Sequence, residues 1–73
     1  MRGTEILTLL RAKPGRYVLQ DMGEYTMKEE DGTDVVVHGH PVRLWAMYIE
    51  ALEDAGKLVP DDASKLIFRL KVG

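Results

Sequence analysis

Two histidines separated by one glycine, His38-Gly39-His40, are the chain's only imidazoles and the first candidates for site chemistry. In an extended strand, side chains two residues apart point to the same face, so both rings could reach one metal ion. A structural zinc site needs four protein ligands and a catalytic site usually three, yet the chain has no cysteine, and no pattern brings an acid such as Asp34 to the pair. We therefore expect no metal and no other cofactor. The segment is interpreted as a strand end, with His40 at a capping position of the next helix.

The sequence also lacks a recognisable nucleophile or acid–base pair. Ser64 and the threonines fall in or near predicted turns and caps, and neither a glycine-rich phosphate loop nor a G-x-S-x-G motif occurs. The adjacent acids Glu29-Glu30-Asp31 fall on a predicted exposed turn, where nothing raises the pKa of one carboxyl above that of another. We expect that the protein is not an enzyme.

Charge is distributed unevenly along the chain. Residues 1–20 carry four basic and one acidic side chain (+3), and residues 21–34 carry one basic and six acidic side chains (−5). Residues 35–56 carry one basic and three acidic side chains (−2), and residues 57–73 carry four basic and two acidic ones (+2), which gives the net charge of −2. Basic ends with an acidic middle produce a field that can orient a charged partner. The alternative, that these are merely solvated faces, stays open at this point.

The first twenty residues predict a helix followed by a strand. Thr4 is the expected N-cap, and Pro14-Gly15 starts a turn into a short β-prone run over residues 16–20. The helix has an apolar face formed by Ile6, Leu7, Leu9 and Leu10.

The middle of the chain predicts a hairpin. Asp31-Gly32 suits a tight turn, and it separates expected strands near residues 24–29 and 34–38. One face of the hairpin is expected to lie on the core, and it would present Tyr25, Met27, Val35 and Val37.

A main helix is expected from Pro41, a residue tolerated at the first helical position, to Gly56 as its left-handed C-terminal cap. Trp45, Ile49 and Leu52 form one apolar row, so Trp45 is assigned to the core. Tyr48 is assigned there as well, and the alternative is that Trp45, Met47 and Tyr48 anchor an interface with a partner. The other face shows Arg43, Met47, Glu50, Glu53 and Asp54, and an exposed methionine among charged residues indicates contact with a partner.

Residues 65–72 alternate as the last strand, with an apolar face (Leu66, Phe68, Leu70, Val72) and an outer face (Lys65, Ile67, Arg69, Lys71). Together these elements predict an α+β fold with two helices packed on a small antiparallel sheet, in a single domain over residues 1–73. No apolar run approaches the roughly 18 residues that span a bilayer, and the short apolar patch near the N-terminus does not resemble a signal peptide. We expect a cytoplasmic location.

The final third of the sequence resembles the end of a winged-helix domain. The matching residues are Ala55-Gly56 at a helix end, Leu58-Val59 as a short strand, residues 60–64 as the wing loop, and Phe68-Arg69-Leu70. The resemblance implies a winged-helix-like fold and a DNA-binding transcription regulator. Two features depart from the family pattern: a hairpin replaces the usual second helix, and the helix that would enter the major groove presents mainly acids, which duplex DNA repels.

Two functions follow as hypotheses. The first is a small regulatory protein that binds a protein partner with a basic surface, such as a component of the transcription apparatus, in the manner of a phage- or plasmid-encoded inhibitor; its expected contacts are Glu24, Glu29, Glu30, Asp31, Asp34, Arg43, Met47, Glu50 and Asp54. The alternative is a winged-helix regulator that holds the DNA backbone through Arg11, Lys13, Arg16, Lys65, Arg69 and Lys71. Neither hypothesis involves a membrane or a small-molecule substrate.

Overall fold

The computed structural model of the chain describes residues 2–61 and 63–71. Their elements, in chain order, are α1 (Gly3–Ala12), β1 (Tyr17–Asp21), β2 (Glu24–Lys28), β3 (Val36–Val37), β4 (His40–Pro41), β5 (Arg43–Leu44), α2 (Ala46–Asp54), β6 (Leu58–Pro60) and β7 (Ile67–Leu70). Two helices pack on a small antiparallel sheet, so the predicted α+β fold class is confirmed.

The main sheet has five strands in the order β5-β2-β1-β7-β6, and β3 and β4 form a separate two-stranded sheet. Strands β1 and β2 pair from Tyr17↔Lys28 to Asp21↔Glu24, and two residues, Met22 and Gly23, join them. Both residues have positive φ angles, 52° and 81°, as the type I′ turn of a two-residue hairpin requires. The first hairpin of the chain therefore lies at Met22-Gly23.

The predicted turn at Asp31-Gly32 forms, but the strands around it differ from the prediction. The Gly32 N–H donates to the carbonyl of Glu29 (2.9 Å) and the Glu29 N–H donates to that of Thr33 (2.7 Å), which closes a three-residue loop. Beyond Val35 the chain leaves β2, and β3 pairs with β4 across His38-Gly39. Because His38 and Gly39 have φ angles of 53° and 80°, they make a second tight turn and end the expected strand over residues 34–38.

The main helix begins at Ala46 instead of at Pro41. Residues 42–45 are extended and alternate between the two faces of the sheet: Val42 and Leu44 are buried, whereas Arg43 and Trp45 are exposed. Pairing of β5 with β2 outweighs the helical pattern that the sequence suggested.

The predicted C-terminal cap of this helix is confirmed. Gly56 has a φ angle of 74°, and its N–H donates to the carbonyl of Glu53 (2.9 Å), while the Lys57 N–H donates to that of Leu52 (2.9 Å). These two bonds define a Schellman motif.

One apolar cluster joins both helices to one face of the sheet. Ile6, Val18, Met27, Val35, Ile49 and Leu58 are its most completely buried members. The expected core face of the middle segment is confirmed, since Tyr25 and Val37 pack partly buried beside Met27 and Val35.

Three predictions near the helix starts and the last strand are wrong. Arg2, not Thr4, is the N-cap of α1, and the carbonyl of Thr4 instead accepts a hydrogen bond from the Thr8 hydroxyl. Trp45 is exposed. Leu66 is also exposed, because β7 begins only at Ile67 and Lys65 just before it has a φ angle of 57° that interrupts the alternation. The assignment of Val72 lies outside the described residues.

Candidate protein-binding surface

The two histidines are turn and strand residues. His38 forms the β3–β4 turn, and His40 pairs with Val37 in β4, so His40 does not cap α2 as predicted. Both side chains are exposed. Among residues 2–61 and 63–71, no group of three or more histidine, aspartate or glutamate side chains is placed to hold a metal ion.

Glu29, predicted as a partner contact, is bound within the fold. Its two carboxylate oxygens accept hydrogen bonds from Nε (2.8 Å) and Nη2 (3.1 Å) of Arg16, whose side chain is only 9% exposed. The third donor of Arg16, Nη1, bonds the carbonyl of Leu9 (2.7 Å), one of the carbonyls that a helix leaves unpaired at its C-terminal end. The Arg16 hydrogen bonds hold the pKa of Glu29 below its ordinary value.

The other acids of this loop are only partly available. Asp31 accepts hydrogen bonds from the Thr33 hydroxyl (2.6 Å) and N–H (2.9 Å), which lower the pKa of its carboxyl. Asp34 is paired with Lys28. Glu30 is exposed and lies against Gly15. The loop is therefore held to the neighbouring strands by its own carboxylates and does not form a free acidic projection.

The acids of α2 differ in whether they form an ion pair. Glu53 pairs with Lys65 at 3.5 Å, whereas Glu50 and Asp54 are exposed on the stripe that begins at Met47. Residues three, four and seven apart share one side of a helix, so Met47, Glu50 and Asp54 form a continuous exposed row.

The six cations predicted for DNA contact do not form one free patch. Arg16 is taken by Glu29 and Lys65 by Glu53, as described above. Arg69 lies over the Tyr17 ring, 5.1 Å from its centroid, and pairs with Asp61 at 3.5 Å. Arg11, Lys13, Arg16 and Arg69 do line one shallow groove, beside Leu10 and Leu70. Lys71 is exposed outside it. Three of the six predicted cations, Arg16, Lys65 and Arg69, are thus paired with acids within the fold.

Trp45 is not among the predicted contacts, which were chosen mainly for their charge. It is 67% exposed and occupies the N-cap position of α2, where its side chain makes no capping hydrogen bond. Serine, threonine, aspartate or asparagine would stabilise the helix at this position. A large apolar side chain at an N-cap therefore contributes neither to the core nor to the helix end.

Met22 is a second residue that local structure does not favour. It is 97% exposed at a positive φ angle, where asparagine or glycine is preferred. Met47, in the first turn of α2, is 65% exposed, which confirms its predicted exposure. The sequence contained one signal of a turn at Met22: the next residue is a glycine, and the two residues lie between two β-prone runs.

A groove lies between the β1–β2 turn and the start of α2. Glu24, Tyr25, Arg43, Leu44, Trp45 and Ala46 are among its lining residues. Trp45 thus stands beside Glu24 and Arg43, two of the predicted contacts, and a third, Met47, follows two residues later in the first turn of α2. We call these residues together with Met22 the Trp45 surface: Met22, Glu24, Arg43, Trp45 and Met47. It combines the residue types found at the centres of protein interfaces, which are tryptophan, methionine and arginine.

Comparisons with known proteins gave no match. No family model matches the chain, and no curated protein or solved structure matches it. The segments that resemble a winged helix form the end of α2, β6 and β7, and the described residues between α1 and α2 form strands and turns. Within the described part of the chain, no helix is long and apolar enough to cross a membrane.

Proposed function

We propose that the protein is a small, non-enzymatic regulatory protein that acts by binding a protein partner through the Trp45 surface. The observation that supports this most is the placement of Trp45, the chain's one tryptophan, two-thirds exposed at an N-cap that it does not cap. Met22, the other exposed residue that costs local stability, lies in the turn that borders the same groove. Residues kept against local preference commonly mark functional sites.

The charges around this surface favour a partner with basic groups beside an apolar pocket. Glu24 lines the groove, and the exposed row of Met47, Glu50 and Asp54 lies on α2, whose first residue, Ala46, lines the groove as well. An apolar anchor with flanking acids complements a pocket rimmed by lysine or arginine. Basic surfaces are abundant on proteins that handle nucleic acid, so we place the partner in that class, with the transcription apparatus as the first candidate. The proposed location is the cytoplasm, and the proposed mode of action is that of a phage- or plasmid-type inhibitor.

A second candidate is a winged-helix-like regulator that contacts the DNA backbone. The groove lined by Arg11, Lys13, Arg16 and Arg69 supports it, because four of the six predicted cations lie together there. The pairing of Arg16, Lys65 and Arg69 with acids lowers the charge that this surface can offer to phosphates. For this reason the protein-binding function is preferred.

Affinity capture from cells that encode the protein tests the proposal. The immobilised chain is compared with Trp45→Asp, and with Leu66→Ala as a control that removes an exposed apolar side chain outside the Trp45 surface. We expect a partner that is retained by the original chain and the control and lost with Trp45→Asp. Equal recovery with all three proteins would contradict the proposal. Binding of a labelled DNA duplex is measured in parallel with the original chain and with Arg11→Glu and Lys13→Glu. This measurement distinguishes the DNA-binding function from the protein-binding function.

A further inference from the structure

We infer that Met22 and Met47 form a reversible oxidation site, at which hydrogen peroxide converts the Trp45 surface from an apolar to a more polar contact. The consequence for partner binding rests on the proposed function, because both assign contacts to that surface, and it adds a means of regulation. The modification itself is measurable without a partner.

The described methionines differ widely in exposure. Met22 is 97% exposed and Met47 is 65% exposed, whereas Met27 lies in the apolar core at 0% exposure. An oxidant must reach the sulfur atom of a thioether, so susceptibility follows exposure. Among these three residues, both accessible side chains therefore belong to the Trp45 surface, and the protected one belongs to the core. Met1 lies outside the described residues.

Hydrogen peroxide is the oxidant in this reaction, and the chain has no cysteine to consume it. The sulfur lone pair attacks one oxygen of the peroxide, so that an S–O bond forms and the O–O bond breaks. The sulfur is oxidised by two electrons and the peroxide is reduced. The leaving hydroxide takes the proton of the transferred oxygen and departs as water, and the product is methionine sulfoxide.

The product changes the character of the surface at both borders of its groove. A sulfoxide is polar, whereas the thioether is apolar and flexible. Met22 lies next to Gly23, a lining residue of the groove, and Met47 follows Ala46, another lining residue. A partner pocket that accepts Trp45 and its apolar neighbours would have to bury the two sulfoxides, and an unpaired polar group is costly to bury.

Oxidation at these two positions should leave the fold intact. Neither Met22 nor Met47 belongs to the apolar cluster that joins the helices to the sheet, so no core packing is lost. A sulfoxide at Met27 would instead place a polar group in the core and destabilise the protein. Because sulfoxide reductases restore the thioether, the change at the surface is reversible.

Peptide mapping by mass spectrometry tests the site on the isolated full chain. The protein is exposed to hydrogen peroxide, and the fraction of each methionine that has gained one oxygen atom is followed with time. We expect Met22 and Met47 to react at least about tenfold faster than Met27, which is reached only when the core opens. Circular dichroism should show an unchanged fold. A mixture of two sulfoxide reductases, one for each epimer, should remove the oxygen at both positions.

Partner capture then measures the consequence, with the assay used for the proposed function. Peroxide is removed before the lysate is added, so that only the immobilised chain is oxidised. Oxidation should lower recovery of the partner at least about tenfold, and the reductases should restore it. The matched control is Met22→Leu combined with Met47→Leu, which keeps apolar side chains of similar size without sulfur. This variant should capture the partner equally before and after peroxide.

Oxidation of Met27 as fast as Met22 and Met47 would overturn the inference, and so would full partner recovery by a chain oxidised at both positions. The second result leaves the proposed function intact, since Trp45→Asp tests it separately. A loss of capture that also occurs with the double leucine variant would contradict the inference, because it would arise elsewhere in the chain. Conversely, selective and reversible oxidation of a chain that captures no Trp45-dependent partner would remove the proposed function and retain the modification site.

Discussion

Leu44 and Trp45 are adjacent in the chain but lie on opposite sides of it: Leu44 is 7% exposed within the core, and Trp45 is 67% exposed. The cause is the extended backbone of residues 42–45, in which successive side chains alternate between faces. Leu44 pairs with Tyr25 on the inner face, and the following residue is directed outward just before α2 begins. The candidate site exists because the tryptophan falls on the last extended position.

Replacement of Trp45 should not destabilise the fold. Trp45→Asp supplies an N-cap carboxylate near the positive end of the helix dipole, so the free energy of unfolding should rise by ~0.5–1 kcal/mol. A tryptophan in the core would instead cost ~3–5 kcal/mol on truncation. Urea unfolding followed by circular dichroism measures the difference, and a loss of more than about 2 kcal/mol would show that Trp45 is a packing residue.

Met22 offers a parallel test at the β1–β2 turn. Met22→Asn places the preferred residue at a positive φ angle in a type I′ turn, so it should stabilise the protein by roughly 0.5–1 kcal/mol. The same change removes an exposed apolar side chain from the Trp45 surface and should weaken partner binding. A variant that is less stable than the original, measured by thermal unfolding, would argue against this turn geometry.

The Arg16–Glu29 pair predicts a pH dependence of stability. A carboxyl whose pKa is lowered on folding contributes stability above the ordinary glutamate pKa of about 4.3, and loses it as the pH falls through the lower folded value. Glu29→Gln should therefore be less stable than the original protein at neutral pH, and the difference should shrink in acid. Urea midpoints measured from pH 7 downward check this. Glu30→Gln is the matched control, and an equal, pH-independent effect of both variants would contradict the assignment.

Gly56 should be among the least replaceable turn positions. A Cβ there meets no atom within 4 Å, so Gly56→Ala tests backbone conformation without a steric clash. Its φ angle of 74° predicts a cost of ~1–2 kcal/mol in the Schellman motif. Gly39→Ala, at a φ angle of 80° in the β3–β4 turn and equally free of neighbours, provides a comparison at the edge of the fold. No change in the urea midpoint of Gly56→Ala would mean that the cap does not hold the helix end.

Local signals in the sequence predicted much of the fold. Gly56 marked a helix end, Phe68 and Leu70 marked the inner face of β7, and Met27 with Val35 marked the core side of the middle segment. In each case the residue type and its immediate neighbours determine the outcome. The fold class followed from these elements.

The start of α2 was not predictable in the same way. Residues 41–56 contain a helical apolar spacing through Trp45, Ile49 and Leu52, and only the pairing of β5 with β2 selects the extended form before Ala46. Strand pairing is a long-range interaction that a local pattern cannot show. The same limitation applies to the charges: the sequence separates Arg16 from Glu29 by 13 positions, and the fold brings them into a partly buried pair.

Site-specific photo-crosslinking in cells tests the central claim most directly. A photoreactive amino acid is placed at Met47, beside Trp45 on the exposed start of α2, and at Leu66 as the control. We predict a crosslink to a distinct protein from position 47 that disappears in the Trp45→Asp background, and none from position 66. Crosslinks of equal yield from both positions, or from position 47 regardless of Trp45, would contradict the assignment of the Trp45 surface as the functional contact.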